Sequence, residues 1–65
     1  MYKLVITFGD GPSRKVVSRE FWMTQVGLHK AEEQFEELQN LQSVMKLRLW
    51  RVDIKGVQEL KRWER

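Results

Sequence analysis

The chain predicts an α+β fold: an antiparallel sheet of three or four strands with one helix packed on one face, in the order ββαβ or, if the last segment is a strand, ββαββ. Three observations predict it. First, the stretch LHKAEEQFEELQNLQ, residues 28–42, sets Leu28, Ala31, Phe35, Leu38 and Leu41 three and four residues apart, which lines one stripe of a helix. Second, residues 2–8 and 44–52 alternate with a period of two, the spacing of a half-buried strand. Third, glycine-bearing breaks at 9–13 and 53–56 separate the apolar runs.

Residues 2–8, YKLVITF, are rich in β-branched and aromatic types. Tyr2, Leu4, Ile6 and Phe8 share the better core face, opposite Lys3, Val5 and Thr7. Gly9-Asp10-Gly11-Pro12-Ser13 then breaks the strand. A phosphate-binding loop would need a Lys-Ser or Lys-Thr after the glycines, and none follows, so the segment reads as a turn. Residues 14–22, RKVVSREFW, return as a second strand and close a β hairpin over 2–22. Val17 and Phe21 lie in one register and Val16 and Trp22 in the other, so the inward face stays open.

Ser18 and Thr24 are both candidate helix caps, but Gly27 inside a helix costs roughly 1 kcal/mol relative to alanine, which favours a start near Leu28. Glu32, Glu33, Glu36 and Glu37 lie off the apolar stripe. The pairs Glu32/Glu36 and Glu33/Glu37 repel at i,i+4, so the acidic surface costs the helix stability and hints at a use. In VMKLRLWRV, residues 44–52, Met45, Leu47 and Leu49 share one face and Lys46, Arg48, Trp50 and Val52 the other. Asp53-Ile54-Lys55-Gly56 suits a type I turn with a glycine bulge, which would set Arg51 opposite Glu59 and Trp50 opposite Leu60. Residues 57–64 read as a fourth strand or as a short helix, since QELKRWER holds strong helix formers.

Sixty-five residues make a single domain, 1–65, with no room for a deep cleft beside the core. The absence of cysteine excludes disulfides and thiolate metal sites. No apolar run reaches the ~20 residues needed to cross a bilayer, and Met1 leads straight into a strand pattern, so the expectation is a cytoplasmic protein of the host cell without membrane contact. So small a chain gains stability by pairing, which makes a homodimer a reasonable state.

Chemistry finds little to work with. His29 has no second histidine or carboxylate pair at ligand spacing, and the serines lack a nucleophile context. The expectation is therefore no enzyme, no metal and no cofactor. Charge is unevenly placed: residues 30–39 hold Lys30 against four glutamates, a local −3 in a chain of net +3, so the remainder carries +6. Two binding readings follow. In one, Glu32, Glu33, Glu36 and Glu37, with Phe35 or Leu38 as an apolar anchor, form a protein-binding surface that imitates DNA phosphates. In the other, Lys46, Arg48, Trp50, Lys61 and Trp63 make a basic, tryptophan-bearing sheet face for single-stranded nucleic acid.

The helix bearing Phe35-Glu36 and the strand Lys46-Leu47-Arg48-Leu49, in their ββαβ order, resemble small phage-encoded proteins. Among these are the short inhibitors of uracil-DNA glycosylase from Bacillus phages. The likeness spans roughly residues 2–52. That group carries a tyrosine four residues after its phenylalanine, where this chain has Gln39, and residues 53–65 lie beyond it. The resemblance implies a dimer whose helices build an apolar pocket with acidic surroundings. It also implies a host DNA-processing enzyme as partner, inhibited through its DNA-probing loop.

Overall fold

The computed structural model describes residues 1–65 as a four-stranded antiparallel sheet with one helix across one face. The strands are β1 (Tyr2–Phe8), β2 (Lys15–Phe21), β3 (Val44–Asp53) and β4 (Gly56–Glu64), ordered β2-β1-β3-β4, and the helix α1 is Gln25–Leu38. The α+β class predicted from the sequence is thus the observed one, and the last segment is a strand rather than a helix. No helix is long and apolar enough to cross a membrane.

Alternation on the two central strands builds the core. Leu4 and Ile6 on β1 lie directly across from Leu49 and Leu47 on β3, and all four are fully buried. Ala31, Phe35 and Leu38 descend from α1 to close the cluster, joined by Val44. Tyr2, Phe8, Phe21 and Trp63 pack around its rim. On β2 the open choice resolves toward Val17 and Phe21, which pair with Ile6 and Tyr2 on the helix side. Trp22 falls outside the strand and stands 84% exposed.

The helix differs from its sequence reading at both ends. It begins three residues before Leu28, with Thr24 as cap: the Thr24 hydroxyl accepts the Gly27 amide at 3.0 Å. Gly27 is tolerated in the first turn because a Cβ there would lie 1.9 Å from the Trp22 carbonyl oxygen. The chain entering the helix passes so close that only glycine leaves room. At the far end α1 stops at Leu38 rather than at 42, and the chain turns down into β3. The Arg65 guanidinium donates to the carbonyls of Gln39, Leu41 and Val44 at 3.1, 2.8 and 3.0 Å, which ties the end of β4 to the α1–β3 connection. Leu41, assigned to the apolar stripe, is consequently exposed, and Leu28 is only half buried.

Two irregularities set which side chains face the helix. Between β1 and β3 the register slips at Thr7/Phe8, so Phe8 meets Val44 while Thr7 meets Lys46. Val44 thereby takes the buried place expected of Met45. Between β3 and β4, Asp53 pairs with Gly56 across the two-residue tip Ile54-Lys55, and the Asp53 carboxylate accepts the Lys55 amide at 2.8 Å. The bulge expected at Gly56 sits instead between Leu49 and Trp50, where Leu60 is the extra residue. The pairs are Trp50 with Glu59 and Arg51 with Gln58, not Trp50 with Leu60 and Arg51 with Glu59.

Candidate functional site

Helix α1 covers one face of the sheet and leaves the other to solvent. Strict alternation along the paired strands puts Lys3, Val5 and Thr7 of β1, Val16, Ser18 and Glu20 of β2, and Lys46, Arg48, Trp50 and Val52 of β3 on the open face. Beyond the bulge, Arg62 and Glu64 of β4 join them, as do Glu59 and Val57 on its near side. Val5, Thr7, Arg14, Val16, Lys46, Arg48, Arg62, Trp63 and Glu64 line one groove there.

The bulge divides the residues that sequence reasoning had grouped for nucleic acid. Lys46, Arg48 and Trp50 stay together on the open face. Lys61 and Trp63 do not: one extra residue at Leu60 turns them to the helix side, where Lys61 lies opposite Leu49 and Trp63 opposite Leu47. Their places on the open face go to Arg62 and Glu64. Lys3, Arg14, Arg62 and Glu59 are the members that the sequence reading missed. Alternation along β1 was a sufficient signal for Lys3, and the expected pairing of Trp50 with Leu60 already set Arg62 opposite Arg48, whereas Glu59 depends on a bulge that leaves no local sequence mark.

The acidic set is rearranged as well. Phe35 is only 4% exposed and Leu38 is buried beside it, so neither can anchor a partner without the core opening. Their place on the inward stripe of α1 is the physical reason: the same spacing that makes the helix amphipathic points both at the sheet. Lys61 reaches up from β4 to Glu32 at 3.7 Å and Glu36 at 3.6 Å, offsetting part of the helix charge, and its ammonium lies 5.7 Å from the Phe35 ring centre. Glu33 has only His29 nearby, at 3.9 Å. Glu33, Glu36 and Glu37 remain exposed.

Electrostatics on the open face centre on Glu59. Arg48 donates from Nε and Nη2 to Glu59 Oε2 at 2.9 and 2.7 Å. Arg62 donates from Nε to Oε1 at 3.0 Å and from Nη2 to Oε2 at 3.3 Å. These hydrogen bonds, from Arg48 first and Arg62 second, hold the Glu59 carboxyl below the ordinary carboxylate range. A depressed folded value contributes stability that is fully present above the ordinary glutamate range and is lost as pH falls through the folded value, so the carboxylate stays ionised through the range in which a free glutamate takes up its proton. The Arg48 guanidinium also lies over Trp50, 4.4 Å from the ring centre. Lys46 meets Glu64 at 3.5 Å, while Lys3 and Arg14 enter no ion pair.

Five cations, Lys3, Arg14, Lys46, Arg48 and Arg62, thus share this side of the sheet with Glu20, Glu59 and Glu64, a local excess of two positive charges around one half-buried indole, Trp50. Such a surface can bind an anionic, flat-ringed polymer. No group of three or more His, Asp or Glu side chains is placed to hold a metal ion. Compared with protein-family models, curated proteins and solved structures, the chain matches none.

Proposed function

We propose that the protein is a non-catalytic binding module whose open sheet face takes single-stranded nucleic acid. The observation that carries this reading is Trp50 on a central strand with Lys3 directly across from it, Arg48 over its ring and Lys46 further along the same strand. A base can stack on the indole while the cations track the phosphates, a combination that tolerates any sequence. A duplex would not offer its bases to a flat sheet face, so the single strand is the ligand. The nucleic-acid reading from the sequence keeps three of its five residues here; Lys61 and Trp63 serve the core and the helix instead.

Titrating a labelled ten-nucleotide oligothymidylate tests the reading. With Lys3, Arg14 and Lys46 as about three phosphate contacts, the logarithm of affinity should fall with slope about −2 against log salt, roughly 16-fold between about 50 and 200 mM. Trp50→Ala should weaken binding about fivefold or more, since stacking on one base is worth about 1–3 kcal/mol. No binding by the wild type at about 50 mM salt removes the proposal.

A second reading rests on a separate surface. Glu33, Glu36 and Glu37 are exposed on the outer side of α1 and favour a basic protein partner, in the manner of a phage inhibitor of a host DNA-processing enzyme. Its contact would be electrostatic, because Phe35 and Leu38 are committed to the core. The sharpest test is uracil excision by a bacterial uracil-DNA glycosylase with this protein in large molar excess. The reading expects inhibition that disappears on joint replacement Glu36→Lys and Glu37→Lys. Undiminished excision excludes a glycosylase as the target.

A further inference from the structure

We propose that Glu59 is an internal competitor of the ligand: its carboxylate occupies the anion cradle made by Arg48 and Arg62, and a phosphate of the bound strand displaces it. This rests on the nucleic-acid reading of the same face. Arg48 and Arg62 lie directly opposite each other on β3 and β4, two like charges that need an anion between them. Glu59 supplies it through four N–H donors between 2.7 and 3.3 Å. Paired guanidinium forks suit a phosphate at least as well as a carboxylate, since both anions accept bidentate donation. The cradle also adjoins the stacking platform, because the guanidinium that grips Glu59 is the one lying over Trp50.

Two internal partners therefore hold Arg48 in the free protein, and a nucleic acid offers a replacement for each. A base takes the indole face that the guanidinium covers, and the adjoining phosphate takes the place of the carboxylate. Until then Glu59 reduces the cluster from two positive charges to one. The consequence is a module that is weak at rest, with Lys3 and Arg14 making the first contacts because neither enters an ion pair, although Glu20 lies across from Lys3. Arg48 and Arg62 contribute only once Glu59 is pushed aside.

The test compares the wild type, Glu59→Gln and Arg62→Gln in the oligothymidylate titration, each shown by circular dichroism and a cooperative melt to be folded at the temperature used. Glu59→Gln frees two guanidiniums while keeping the side-chain shape. It should bind about tenfold more tightly at low salt, because the strand no longer has to displace a carboxylate to reach the two guanidiniums. The oligonucleotide should also raise its melting temperature more than it raises that of the wild type, since the ligand then supplies the missing anion. Arg62→Gln should bind more weakly than the wild type. Wild-type binding with Glu59→Gln equal or weaker overturns the competitor while leaving the nucleic-acid face standing. If none of the three binds, that face is wrong and the competitor falls with it. If Glu59→Gln does not fold, Arg62→Gln decides: affinity equal to the wild type overturns the proposal, and weaker binding supports it.

Discussion

Gly27→Ala should remove at least about 3 kcal/mol of stability, against the gain of about 1 kcal/mol that helix propensity alone predicts for this exchange. The sign reverses because of one close approach. An alanine Cβ would sit 1.9 Å from the Trp22 carbonyl oxygen and 2.9 and 3.1 Å from the Trp22 carbonyl carbon and amide nitrogen. All three are backbone atoms, so no rotamer change makes room, and the β2–α1 connection itself must move. That connection is tied down on both sides: the Thr24 amide donates to the Trp22 carbonyl at 2.8 Å, and the Leu28 amide to the Thr24 carbonyl at 2.9 Å. Shifting it costs the Thr24 cap and pulls Ala31 and Phe35 off the sheet. Chemical denaturation followed by circular dichroism measures the effect. A variant with a midpoint at or above that of the wild type would mean that the helix does not start beneath Trp22.

Leu47→Ala should cost about 2–5 kcal/mol, a large part of the 5–15 kcal/mol typical of whole domains. Leu47 is fully buried in the middle of the sheet, with Ile6 across on one side, Trp63 across on the other and α1 above. Truncation removes apolar area from the core and leaves a cavity that paired strands on both sides keep from collapsing. Ile54 at the β3–β4 tip is fully exposed and serves as the internal reference, because Ile54→Ala should change stability by less than about 0.5 kcal/mol. Equal denaturation midpoints for the two variants would contradict the placement of β3 at the centre of the core.

The class of fold was legible because it follows from local periodicity. Alternation in residues 2–8 and 44–52 named the inward residues Leu4, Ile6, Leu47 and Leu49, and the three-and-four spacing named Phe35 and Leu38. Burying one face of a sheet against one stripe of a helix leaves few other arrangements for a chain this short. The helix start was misread because intrinsic propensity counts Gly27 only as a cost, whereas its lack of a Cβ is what lets the Trp22 carbonyl pass. Phe35 was offered both to the core and to a partner, and a stripe residue cannot serve both.

The composition of the open face was decided by tertiary structure. Sequence placed Lys46, Arg48 and Trp50 on it correctly, because they lie on one unbroken strand whose inward partners are plainly apolar. Lys61 and Trp63 were grouped with them although the expected pairing of Trp50 with Leu60 already sets Lys61 opposite Leu49 and Trp63 opposite Leu47; what only the fold decided is the unpaired Leu60, which brings Glu59 opposite Trp50. The Arg48–Glu59–Arg62 cluster exists only in that register. A strand's own pattern fixes which of its residues share a face only while its pairing is unbroken; on β4 the unpaired Leu60 puts Glu59 and Arg62, three residues apart, on one face, and that is set by the neighbour it pairs with.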